Sequence, residues 1–196
     1  MRNIFIFHGS YGSPEENWFP WLKKELEKLD NRVIVPQFPT PKTQDSAYSG
    51  HRLQKWLRSF DKYRKLLNDK TIIIAHSRGC VFTYHLMPTL KTPIDCLFLV
   101  APWMIFRWYP KDWKKTDSFH QKLFNWNKIR EKAKYIEIYQ STNDDTPVSE
   151  GRQIARKLGA KLILVKNAGH FNVASDEKFK KFPLFLENIK KFIKEN

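Results

Sequence analysis

The sequence predicts an α/β protein: a mostly parallel sheet of about six strands with helices on both faces, a three-layer sandwich. Three observations carry this expectation. Short β-rich runs recur along the chain, each continuously apolar over a few residues, as in strands covered on both faces rather than half-wetted ones. Segments of helical period lie between several of them, and strands alternating with helices imply parallel pairing. At 196 residues the chain suits a single domain, residues 1–196, with a core large enough to stand without disulfides or a structural metal.

Taken in order, the strand candidates are "NIFIFHG", "RVIVPQF", "KTIIIAHS", "DCLFLVAP", "KYIEIYQS" and "KLILVKNAG". The helical candidates are "PEENWFPWLKKELEKL", "GHRLQKWLRSFDKYRKLL", "GCVFTYHLMPTL" and "SEGRQIARKLG", with "FPLFLENIKKFIKEN" closing the chain. "VPQFPTPKT" reads as a loop, because proline cannot donate to a ladder and restricts the residue before it. One stretch breaks the rhythm. Residues 102–126 separate two strands and carry four tryptophans, Trp103, Trp108, Trp113 and Trp126, so an aromatic insertion over one end of the sheet is expected.

Lys and Arg number 35 against 20 Asp and Glu, a formal net charge of +15. The positive residues are scattered, with no basic block and no nucleic-acid module. A solvated lysine-rich surface is therefore expected in place of a polyanion site. Two cysteines, Cys80 and Cys96, are too few for a disulfide framework, and a reducing cytoplasm fits them. The apolar run at the start is shorter than a signal-peptide core, and no later stretch reaches the length of a membrane span.

The third strand candidate ends on chemistry. Ala75-His76-Ser77-Arg78-Gly79 follows four strand-forming residues and precedes a helical segment. It matches the G-x-S-x-G turn, in which small residues two before and two after let a serine stand in a strained conformation at the tip; alanine takes the place of the first glycine. A serine hydroxyl is a poor nucleophile until a base takes its proton. His170, just beyond the last strand in "VKNAGHFN", is placed to do so. Asp144 and Asp145 end the fifth strand in turn chemistry, and spacing alone does not say which would hold the histidine and which would cap the next helix. Backbone N–H groups of Ser10 or Tyr11, after the first strand, can join that of Arg78 in facing an oxyanion. Trp103 and Trp108 are candidates to line an apolar acyl pocket. His8, His76, Asp145 and His170 lack metal-ligand spacing, and Cys80 lies past the turn, inside the helix, so neither a metal nor an organic cofactor is expected.

Together, "HGSYGSPEENWFPWLKKELEKL", "PQFPTP", "TIIIAHSRG", "FNWNKIREKAKYIEIYQSTNDDTPV" and "NAGHFN" resemble the small serine hydrolases of the retinoblastoma-binding protein nine and YdeN type. The resemblance runs almost end to end. It implies an α/β-hydrolase fold and a Ser-Asp-His triad on Ser77, Asp145 and His170, the "DTPV" run favouring Asp145. The expected activity is hydrolysis of an ester, thioester or similar small acyl compound through an acyl-enzyme. An amidase or peptidase using the same residues, or an interaction module on a hydrolase shell, is the alternative.

Overall fold

The computed structural model describes residues 1–40, 52–104, 117–119 and 123–196. Six strands form one parallel sheet: β1 (Asn3–Phe7), β2 (Arg32–Ile34), β3 (Ile72–His76), β4 (Ile94–Val100), β5 (Ala133–Ser141) and β6 (Lys161–Val165), side by side in the order β2-β1-β3-β4-β5-β6. Ile6 of β1 pairs with Ile74 of β3, and Ile74 with Phe98 of β4. The chain first steps from β1 outward to β2, then crosses back to lay β3 on the other side of β1. The C-terminal ends of β1 and β3 therefore flank a topological switch point, the crevice where open α/β sheets place their ligands.

Period two sorts the strand residues onto two faces. Phe5, Phe7, Ile73, Ala75, Leu97 and Leu99 meet α2 (Leu53–Asp61), α3 (Arg78–Leu86) and α5 (Val148–Leu158). Their neighbours Ile4, Ile6, Ile72, Ile74, Cys96 and Phe98 meet α1 (Phe19–Glu27) and α6 (Pro183–Glu195). Both layers of helix cover the sheet and bury β3 and β4 throughout and β1 from Ile4 onward, which is why these strands read as nearly continuous apolar runs. The same reading fails at β6. It is an edge strand with Lys161 and Leu164 exposed, because among the described residues no seventh strand pairs with its outer side.

Several boundaries are narrower than the sequence pattern. The helical register before the first helix is taken up by turns, and α1 begins only at Phe19, with Pro20 in its first turn, where a missing N–H costs nothing. β2 stops after three residues, just before Val35-Pro36. A short helix, α4 (Trp126–Arg130), closes the segment after the aromatic insertion, its N-terminus capped by the Asn125 side chain, which accepts from the Lys128 N–H at 3.1 Å. Trp126 packs edge-on to Phe124 and beside Tyr84, whereas Trp108 and Trp113 lie outside the described residues. Among the described residues no helix is long and apolar enough to cross a membrane.

The end of β1 and the start of α3 lie in backbone contact. A Cβ on Gly79 would stand 2.6 Å from the Phe7 carbonyl oxygen and 2.8 Å from that of His8, and neither is free to move without unseating β1. Two histidines are buried at the same edge. His8 donates from Nδ1 to the Gly9 carbonyl at 2.9 Å and accepts at Nε2 from the Phe38 N–H at 3.0 Å, tying the loop after β1 to the proline-rich segment. His76 donates from Nε2 to the His170 carbonyl at 2.8 Å, beneath Trp18 and Phe19. Burial lowers the pKa of His8, and burial followed by the neighbouring His170 pushes His76 down to about 3, with Asp144 and the His170 carbonyl opposing and His8 adding slightly.

Two outcomes are expected. Gly79→Ala should destabilise the protein by about 1–3 kcal/mol in urea unfolding, the cost of overpacking against unyielding backbone; an unchanged midpoint would refute the close approach. In the unfolded chain His76 titrates at about 6.5, so as pH falls below that value the unfolded state takes up a proton the folded state refuses, and stability drops progressively toward pH 3. His76→Gln keeps a donor for the His170 carbonyl but does not titrate. Its unfolding free energy should fall less steeply than wild type between pH 7 and 4, and parallel curves would count against a neutral buried imidazole.

Candidate active site

Three loops converge on the switch point. The first is the turn from β3 into α3, where Ser77 sits at φ 54°, ψ −120°. A non-glycine residue there is strained, and the surroundings hold it: its N–H donates to the Val100 carbonyl at 3.0 Å and its own carbonyl accepts from Cys80 N–H at 2.9 Å. The turn leaves the hydroxyl at the tip of the sheet, mostly buried but reachable at 9% exposure.

The second loop follows β6 and carries His170. Asn167, Gly169 and Phe171 all have positive φ, a contorted path pinned at nearly every residue. The N–H groups of Asn167, Ala168, Gly169 and His170 donate in turn to Thr142 Oγ1, Ser141 Oγ, Asn143 Oδ1 and Ser175 Oγ at 2.8–3.1 Å. Trp18 Nε1 donates to the Phe171 carbonyl at 2.9 Å. Gly169 is required twice over, by φ +51° and because a Cβ would stand 2.5 Å from that of Ser175. Held this way, His170 presents Nε2 to Ser77 Oγ at 2.8 Å.

The third loop follows β5. Its carboxylate on His170 is Asp144, with Oδ1 and Oδ2 at 3.0 and 3.1 Å from Nδ1. Asp145, expected in that place, is exposed. The reason is local. Asn143, though exposed, is fixed by its Oδ1, which receives Ser141 Oγ–H and Gly169 N–H, and Asp144 Oδ1 accepts the Thr146 N–H at 3.1 Å. That Asx turn aims Asp144 at the histidine, and the next residue points to solvent. The Asp144 side chain is fully buried while that of His170 is 29% exposed, so the carboxylate is sequestered and the imidazole stays partly open. A carboxylate on Nδ1 holds the ring proton there and leaves the Nε2 lone pair for the Ser77 hydroxyl. The arrangement can take a proton from Ser77 and stabilise the resulting imidazolium.

The loop after β1 lies against the serine. A Cβ on Gly9 would stand 3.0 Å from Ser77 Cβ and 3.4 Å from its Oγ, so only glycine brings backbone this near. Ser10 follows, its Oγ accepting from Arg78 Nε at 2.8 Å, and then Tyr11, exposed at φ 56°. The Arg78 side chain is buried and paired with Asp117. Trp103 is 1% exposed and lies in the core with its ring beside the Arg78 guanidinium, while Trp108 is outside the described residues. Cys80 is buried within α3, its thiol pKa pushed far up by desolvation, and Cys96 is likewise buried and raised. Sequence reasoning missed Gly9, His76, Asn143 and Asp117. "HG" at a strand end and the Asn of "STNDD" were the available signals for Gly9 and Asn143, whereas Asp117 had none.

The family model described as serine hydrolase matches residues 4–191. YdeN of Bacillus subtilis is 30% identical over 191 residues, covering 95% of this chain and 93% of that protein. The serine hydrolase RBBP9 of Rattus norvegicus is 27% identical over 160 residues, covering 79% and 77%. Among solved structures, the ydeN gene product of B. subtilis superposes with a TM-score of 0.84 at 27% identity over 99% of this chain and all of that one. Est1E of Butyrivibrio proteoclasticus, at 16% identity, shares the fold with a TM-score of 0.73 over 100% of this chain and 89% of its own. With the match spanning nearly its whole length, the chain belongs to the serine hydrolase family and is a hydrolase of the α/β-hydrolase fold.

Proposed function

We propose that the protein hydrolyses an ester, thioester or similar small acyl compound, with Ser77 as nucleophile, His170 as general base and then acid, and Asp144 as the residue that orients and stabilises the imidazole. The observation that carries this reading is the unbroken hydrogen-bonded chain from Ser77 Oγ through His170 to a fully buried Asp144. Ser77 Oγ attacks the acyl carbon as its proton passes to His170 Nε2, and the carbonyl oxygen becomes an oxyanion facing the backbone N–H of Arg78 and those of Ser10 and Tyr11. Collapse expels the alkoxide or thiolate, which takes the proton from His170. Water then attacks the acyl-Ser77 ester with His170 again as base, releasing the acid and restoring the hydroxyl.

Asp144 has no proton to give in this scheme. Its negative charge favours the imidazolium, and its geometry forbids the wrong tautomer. The two buried, unpaired thiols support a reducing compartment, the cytoplasm, as the place of action.

A fluorophosphonate probe should label the wild type and fail on Ser77→Ala. Asp144→Asn should lower kcat on p-nitrophenyl esters by about 10⁴-fold, the loss expected when the orienting carboxylate becomes an amide. Asp145→Asn should stay within a few-fold of wild type. Labelling that survives Ser77→Ala, or equal losses from the two asparagine variants, would refute these assignments. Matched p-nitrophenyl esters and anilides of graded chain length should show turnover of the esters first. A folded wild type that neither labels nor hydrolyses would instead favour the interaction module.

A further inference from the structure

The residue after the serine contributes a backbone N–H whatever its side chain, so the burial of an arginine there needs a separate reason. Arg78 has no exposed surface, a state that arginines reach only when paired. Its pairing is spread across the site. Nη1 donates to Asp117 Oδ2 at 2.6 Å, both side chains being buried. Nε donates to Ser10 Oγ at 2.8 Å, and the Trp103 and Phe119 rings lie 5.7 and 5.2 Å from the guanidinium carbon.

The far end of this network is anchored to the scaffold. Asp117 Oδ1 accepts the Phe119 N–H at 3.0 Å, the Phe119 carbonyl accepts from His85 Nε2 of α3 at 2.7 Å, and Ser118 Oγ accepts the Leu53 N–H at the start of α2 at 2.8 Å. The near end holds Ser10, one residue beyond the glycine that touches Ser77 and one before Tyr11 at φ 56°. One rigid, planar cation thus spans the two backbone stretches, Arg78 itself and Ser10–Tyr11, whose N–H groups face the oxyanion in the proposed reaction. Oxyanion donors act only if they are fixed before charge develops. A lysine, with one point charge on a flexible stem, cannot brace two directions at once.

We propose that the Arg78 side chain is a positioning residue, which through Ser10 holds the loop after β1 at the spacing needed to receive the oxyanion. The proposal rests on the serine-hydrolase reading above and adds to it a role for a side chain that makes no contact with the reacting atoms.

The test compares Ser10→Ala, Ser10→Thr, Arg78→Lys, the charge-free pair Arg78→Met with Asp117→Leu, and that pair combined with Ser10→Ala. Replacing both members of the buried pair avoids leaving one to face an absent partner, and the urea midpoint reports whether each variant folds. Measured are kcat and KM on a p-nitrophenyl ester, the rate of fluorophosphonate labelling, and the urea midpoint. Ser10→Ala should lower kcat and the labelling rate by about 10- to 100-fold, the scale of a slight misplacement of catalytic groups, with KM within two-fold. Arg78→Lys should resemble it, and Ser10→Thr, which keeps the hydroxyl, should recover most of the rate. Combining Ser10→Ala with the charge-free pair should cost no more than the worse of the two, because both break one linkage. A folded Ser10→Ala within two-fold of wild-type kcat, additive losses, or a rise in KM alone would overturn the proposal. A wild type that is not labelled at Ser77 would instead defeat the underlying reading, and this one with it.

Discussion

The turn from β3 into α3 is the constraint on which the rest of the site depends. It holds Ser77 at a positive φ that no serine adopts unassisted, and it survives because parallel pairing of β1 with β3 and of β3 with β4 fixes both approaches to it. The Val100 carbonyl takes the serine N–H from one side, and the absence of a side chain at Gly79 lets α3 settle on the end of β1 from the other. Any loosening of that seat would release the strain and turn the hydroxyl away from His170.

Around this point the hydrogen bonds give each polar group a fixed direction. Asp144 is sequestered from water and directed at a histidine that remains partly open. His76 and His8, buried at the same edge, are held neutral by desolvation and act as struts, one on the His170 loop and one on the loop after β1. A protonated His76 would place a second cation beside the imidazolium of the proposed reaction. Its low pKa follows from burial first and from that neighbouring ring second.

The loop after β6 shows how much of the geometry is made by side chains remote from the reaction. Four consecutive backbone N–H groups are satisfied by hydroxyl and amide oxygens of Ser141, Thr142, Asn143 and Ser175, and three positive-φ residues are tolerated in five positions. Such a path has no regular ladder to stabilise it, so its shape is set by the partners that meet it. Asn143 joins two loops at once, next to the turn in which Asp144 accepts the Thr146 N–H and faces His170.

The sequence by itself determined the class of fold and the order of its elements, because strands covered on both faces must be mostly apolar, and β1, β3 and β4 carry only Asn3, His76 and Asp95 as polar residues. It also placed a strained serine between strand and helix, since the small residues at 75 and 79 have a steric cause that can be read locally. What it could not decide was anything set by contact between distant segments. Asp144 and Asp145 are chemically equal in the chain and differ only once the loop after β5 has turned Asp144 onto His170. Arg78 reads as a surface cation until Asp117, thirty-nine residues away, is packed against it. β6 looks as apolar as its neighbours, yet its exposure follows from lying at the edge of the sheet, a property of strand order that no strand encodes alone.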